Sequence, residues 1–218
     1  MKKQIIIFSF LFIFSNFFTF AQFANGDLSF GFGKLTFSSQ NSSFSSQGIT
    51  SQIQYDFFPF EKRKLGFSFG IGGVFPVSNN LKIQIENINH NSSLNRENTF
   101  NADFGFVFKE KLNKLSFREK ILCSFIAPHG ETLKWIDERD LIFSGVFFAP
   151  KLSLAAFYSV TPRFYVMSNF SFAYGYGSMK AFINYTEKDS KSKDLYTTNE
   201  KSNVSFVNIS IGVGFFGN

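Results

Sequence analysis

Leu65-Gly66-Phe67-Ser68-Phe69-Gly70-Ile71-Gly72 decides the fold. Every second residue is large and apolar, while those between are Gly or Ser. A period of two belongs to a β-strand, whose successive side chains point to opposite faces. One face here is a row of rings and aliphatic groups. The other has almost no side chain.

The same sorting recurs along the chain. Phe100, Ala102, Phe104, Phe106 and Phe108 oppose Asn101, Asp103, Gly105 and Val107, and Val207, Ile209, Ile211, Val213 and Phe215 oppose Asn208, Ser210, Gly212 and Gly214. Phe164, Val166, Phe170, Phe172 and Tyr174 oppose Tyr165, Met167, Asn169, Ser171 and Ala173. Ile49, Ile53, Tyr55 and Phe57 oppose Thr50, Gln52, Gln54 and Asp56. The pattern predicts eight strands, over Leu28 to Phe37, Ile49 to Phe58, Leu65 to Phe75, Thr99 to Phe108, Leu115 to Ile126, Leu141 to Tyr158, Phe164 to Gly177 and Asn203 to Phe216.

The connections alternate in length. Pro59 to Lys64, Lys109 to Lys114 and Val160 to Arg163 are short, whereas Ser38 to Gly48, Pro76 to Asn98, Ala127 to Asp140 and Ser178 to Ser202 are long. An even strand number, segments of about ten residues, and short turns on one rim with long loops on the other describe an antiparallel transmembrane β-barrel with short periplasmic turns and longer extracellular loops.

Charge placement agrees, since three predicted strands, Leu65 to Phe75, Phe164 to Gly177 and Asn203 to Phe216, contain no charge. Asp56, Asp103 and Lys151 fall on the polar set and are expected to point inward. Lys34 shares parity with Phe30 and Phe32, and Glu119 with Phe117 and Ile121, so each requires a bulge, a rim position or a shifted boundary.

This sorting also accounts for the composition. The chain of 218 residues contains 35 Phe, 7 Tyr and 1 Trp, with only 17% charged residues, yet its mean hydropathy is -0.01. That near-zero mean averages an apolar face with a polar one. So many rings exclude a disordered chain, and the single Cys123 excludes a disulfide scaffold. A soluble barrel or a β-sandwich would share the alternation. Against the soluble barrel, the Gly-rich face suits a narrow lumen better than a solvated exterior.

Residues 1–21 read as a secretory signal peptide: Lys2 and Lys3, an apolar run from Ile5 to Phe20, and Thr19-Phe20-Ala21 before Gln22. Cleavage there leaves residues 22–218 as one barrel domain and lowers the formal charge from +6 to +4 by removing Lys2 and Lys3. No Cys follows to carry a lipid. Export and this mild charge argue against a nucleic-acid partner. No later run of 18 apolar residues is present to form a helical span.

With this leader, the eight Phe- and Gly-rich strands and the closing segment Val204 to Phe216, the chain resembles the small outer-membrane β-barrel proteins of Bacteroidota-type bacteria, similar in architecture to OmpX and the OmpA membrane domain. The resemblance implies an outer-membrane location, a lipid surround and assistance from the barrel-assembly machinery. That machinery reads a terminal aromatic residue; here Phe215 and Phe216 are followed by Gly217 and Asn218.

An eight-stranded barrel is just wide enough for side chains to fill. Gln52, Gln54, Asp56, Asn101, Asp103, Lys151, Asn169 and Asn208 are therefore expected to meet inside as a polar plug, with Arg118 and Lys120 as counter-charges to Asp56 and Asp103. Catalytic signals are weak. His90-Asn91-Ser92 has the His-x-Ser spacing of outer-membrane lipid A deacylases but lies in the second long loop, whereas that family carries it near the C-terminus. His129, in Pro128-His129-Gly130, reads as a surface residue. Two histidines and one cysteine do not suggest a transition-metal site, and Asp137 to Asp140 reads as a solvated charged loop before a Ca²⁺ site. No cofactor is expected.

The alternation of Leu81, Ile83 and Ile85, and of Ala181, Ile183 and Tyr185, predicts strands that continue beyond the membrane as hairpins, while Glu187 to Asp194 reads as a tip of charge and Ser. The leading expectation is a non-enzymatic barrel acting in envelope structure, or meeting an extracellular protein or surface ligand, through these loops. The alternatives are a narrow OmpW-like transporter of small hydrophobic molecules and a lipid-modifying enzyme.

Overall fold

The computed structural model describes residues 24–40, 42–58, 64–85, 88–92, 96–136, 139–185 and 193–216. Nine strands are present: β1 (Ala24–Ser38), β2 (Ser42–Phe57), β3 (Leu65–Ile85), β4 (Ile88–Ser92), β5 (Arg96–Leu112), β6 (Leu115–Ile136), β7 (Arg139–Ser159), β8 (Phe164–Tyr185) and β9 (Lys193–Phe215). Eight close into an antiparallel barrel in the order β1-β2-β3-β5-β6-β7-β8-β9, with β9 returning to β1. The short β4 pairs only with the far end of β3. Each predicted strand coincides with one wall strand. The predicted signal peptide and most of the Glu187 to Asp194 tip lie outside the described residues.

The wall strands are longer than the alternation alone marks. A strand of 22 residues such as β6 or β8 rises roughly 50 Å at the usual tilt, against an apolar band of about 25 Å. Much of the predicted long loops is therefore paired strand projecting past one rim. At the opposite rim β5 turns into β6 through Asn113-Lys114 alone, with Leu112 facing Leu115 across the ladder. Asn113 takes φ 56°, a left-handed conformation that Asn tolerates better than most residues.

The exterior carries the rings. Phe30, Phe32, Phe67, Phe69, Phe104, Phe106, Phe170 and Phe172 are all exposed, whereas Gln52, Asp56, Asp103 and Lys151 are buried. Apolar outside and charged inside is the reverse of a soluble protein and matches a wall surrounded by lipid.

Neither Lys34 nor Glu119 is accommodated by a bulge. The β1 pairings run unbroken on both sides of Lys34, and β6 keeps register through Glu119. Both side chains point outward. Lys34 is a rim residue, because Thr36 and Ser38 follow it on the outer face of β1. Glu119 lies within the apolar belt, four residues above the β5–β6 turn. The irregularities among the described residues lie farther out: Val77 is the extra residue where Gln47 pairs with Ser78 and Gly48 with Pro76, β6 against β7 shifts between Thr132 and Ile136, and β8 against β9 shifts between Ile183 and Asn184.

Candidate functional site

The lumen is built by parity. On β2 the inward set is Thr50, Gln52, Gln54 and Asp56; on β5 it includes Asn101 and Asp103; on β6 it is Ser116, Arg118, Lys120, Leu122 and Ser124. All ten residues of the expected polar network, Gln52, Gln54, Asp56, Asn101, Asp103, Arg118, Lys120, Lys151, Asn169 and Asn208, point inward and are buried.

They do not form one network. Toward the short-turn end, Arg118 Nη1 donates to Asp56 Oδ2 at 2.7 Å and lies 3.3 Å from Asp27 Oδ2. Lys120 Nζ donates to Asp56 Oδ1 at 2.8 Å, Ser68 donates to the same oxygen, and Gln54 donates to Ser68. The Tyr165 hydroxyl donates to Asp27. The Arg118 guanidinium lies 3.9 Å from the Phe157 ring centroid, a cation–π contact, and its Nε and Nη2 find no acceptor.

A second group gathers around Asp103. Lys151 Nζ donates to it at 2.6 Å, Gln52 at 2.7 Å, Ser124 at 2.6 Å and Asn101 at 3.4 Å. Two further pairs, Thr50 with Asn208 and Ser153 with Asn169, close at 2.7 Å each. The expected pairing is thereby corrected: Arg118 and Lys120 both serve Asp56, and the counter-charge of Asp103 is Lys151. The ion-paired lumen balances three acids, Asp27, Asp56 and Asp103, against three bases, Arg118, Lys120 and Lys151. Burying such charges is costly unless each is paired and hydrogen-bonded.

Asp27 is absent from the expected network because the alternation marks the first strand only from Leu28, four residues after β1 begins at Ala24. Sequence reading also missed the apolar stopper above the polar groups. Leu35, Phe37, Phe44, Phe143, Phe147 and Phe206 are buried inside the barrel toward the hairpin end, with Phe37 and Phe147 centroids 4.3 Å apart and those of Phe44 and Phe143 4.8 Å apart. The available signal was a change of parity: the outward rings of β1 are the even-numbered Phe30 and Phe32, but Leu35 and Phe37 are odd. At the short-turn end Phe157 and Tyr165 pack together, and Phe216 meets Tyr165 at 4.4 Å. Phe216 thus turns inward, while Phe215 remains on the outer face.

The gap among Leu35, Val74, Ile126 and Phe206 is too narrow to hold a water molecule. His129 is exposed on the outer face of β6. His90 and Ser92 fall on β4, but their side chains, like those of Asp137 to Asp140, lie outside the described residues. Among the described residues no group of three His, Cys, Asp or Glu side chains is placed to hold a metal.

No protein-family model and no curated protein sequence matches the chain. Solved structures do match in fold. A major outer membrane protein from Thermus thermophilus superposes with a TM-score of 0.53 at 9% identity, over 88% of this chain and 98% of its own. Neisserial surface protein A gives a TM-score of 0.51 at 11% identity, over 88% and 96%. At such identities the likeness is one of fold, and that fold is the closed eight-stranded antiparallel barrel of small outer-membrane proteins.

Proposed function

We propose that the chain is a non-enzymatic protein of the outer membrane, exported by its leader and of the kind found in Bacteroidota-type bacteria, which acts through its hairpin end. The observation that carries this reading is the filled lumen: two ion-paired groups stacked beneath an aromatic stopper leave the interior occupied by the protein's own side chains. What remains available for contact is the paired strand projecting from β3, β6, β7, β8 and β9. Lipid surrounds the belt, and Phe215, on the outer face of β9, is the aromatic feature an assembly machinery would read. The same packing weighs against the narrow transporter, which needs an apolar passage.

The test has two arms. Protein reconstituted in planar bilayers is expected to give no discrete conductance steps, and regular single-channel openings would sink the plugged-barrel reading. In cells lacking the chain, a barrel whose hairpins are trimmed to the rim should still reach the outer membrane but fail to restore detergent resistance or surface attachment. Full restoration by the trimmed barrel would remove the hairpins from the function.

A further inference from the structure

Glu97, next to the hairpin end of β5, is only 7% exposed. The acids deeper in the lumen each have a cation beside them, but no ion pair joins Glu97 to any described residue. Its neighbours are neutral: Ser46 of β2, Asn79 of β3 and Thr99 of β5 each bring a hydrogen-bonding group up to the carboxylate. Ser46 faces Asn79 in the β2–β3 register, and Ser46 and Thr99 are themselves buried. Yet neither carboxylate oxygen, nor the Ser46 or Thr99 hydroxyl, closes a hydrogen bond of normal geometry. Four buried oxygens thus converge on one another without a well-aligned hydrogen bond among them. Buried polar groups are otherwise almost always satisfied.

The surroundings sharpen the problem. Thr99 borders a floor made by Leu35, Val74, Ile126 and Phe206 with the Asn101 amide, and that amide donates to Asp103, so the carboxylate receives little help from below. An isolated anion there is costly. A positive ion among these oxygens would satisfy all of them together.

We propose that Glu97, Ser46 and Thr99, with the Asn79 amide beside them, form a binding site for a hard cation of calcium type. The donor set is all oxygen and contains no sulfur or imidazole, which favours calcium or magnesium over transition metals. Donors drawn from three strands do not impose an octahedron. That suits calcium, which accepts six to eight oxygens in flexible geometry and completes its shell with water, better than magnesium. With one carboxylate the affinity belongs in the weak range of about 10⁻⁴ to 10⁻³ M typical of extracellular modules.

The experiment uses the full barrel refolded in maltoside micelles at neutral pH, stripped with EDTA and melted with and without CaCl₂. For half-saturation near 1 mM, 10 mM CaCl₂ should raise the folded-to-unfolded ratio about tenfold. Glu97→Gln should abolish that shift, and Thr99→Val should require several-fold more calcium for the same effect. No shift in the wild type, an equal shift in Glu97→Gln, or an equal shift from MgCl₂ overturns the proposal. If Glu97→Gln does not fold, the calcium midpoints of Thr99→Val and Ser46→Ala decide: midpoints unchanged from wild type overturn the site.

Discussion

Lys151 Nζ lies 2.6 Å from Asp103 Oδ2, and both side chains are shut away from solvent inside the barrel. The pair is held by more than its own attraction, since Gln52, Ser124 and Asn101 also donate to the carboxylate. Removing one partner strands a buried charge, whereas removing both leaves only a packing change.

Lys151→Met should therefore destabilise the barrel by about 3 to 5 kcal/mol, read by urea unfolding in lipid vesicles. Asp103→Asn combined with Lys151→Met should recover a large part of that loss. Costs that simply add would show that the two groups are not coupled. The exposed pair Lys64–Glu110, at 2.8 Å, is the control: Lys64→Ala should leave unfolding unchanged, because exposed ion pairs contribute little.

Arg118 engages its acids through Nη1 alone, leaving Nε and Nη2 without acceptors. An ammonium could meet the same need without those orphaned donors. Arg118→Lys should cost no more than about 1 kcal/mol, the loss of its contact with Phe157 included. Arg118→Leu should cost about 3 kcal/mol or more by leaving two buried carboxylates, Asp27 and Asp56, with the single counter-charge of Lys120. Equal losses in the two variants, measured by the same unfolding assay, would show that the guanidinium shape rather than the charge is needed.

Gly105 pairs with Leu122 of β6, and a methyl group added there would come within 2.2 Å of the Ile121 carbonyl oxygen. The obstacle is backbone, so the strand itself must move. At Gly26 the nearest atom is 3.3 Å away, on the Tyr55 ring, which can turn. Gly105→Ala should lower stability by about 1 to 3 kcal/mol, with Gly26→Ala costing less. Comparing the folded fraction of the two by heat-modifiable gel mobility checks the order.

Parity made the inside and outside of the belt legible, and with them the burial of Asp56, Asp103 and Lys151. It did not reveal height. Asp103 lies opposite Ser124 on β6 and Ser124 opposite Ala149 on β7, which brings Lys151 within reach while Arg118 and Lys120 sit lower. Those levels follow from inter-strand stagger, which one strand's sequence does not contain. The apolar stopper was obscure for a related reason: Phe37 and Phe44 lie where the apolar residues change from the outer face to the inner. A ring there reads as lipid-facing until the rim is located, and Lys34 is what marks it.

Glu119 offers the clearest test of where lipid begins. It points outward between Phe108 of β5 and Leu154 of β7, with Phe117 and Ile121 exposed along its own strand. Four residues above the turn correspond to roughly 9 Å of height at the usual strand tilt. That places it in the belt's short-turn third, where a carboxylate costs less than a midplane Lys or Arg but still more than Leu. Glu119→Leu should stabilise the barrel by about 1 kcal/mol in lipid vesicles, while Lys34→Leu, at the opposite rim, should change little. A loss of stability in Glu119→Leu would mean that the carboxylate has a favourable partner at the surface, and the belt would then have to be redrawn above it.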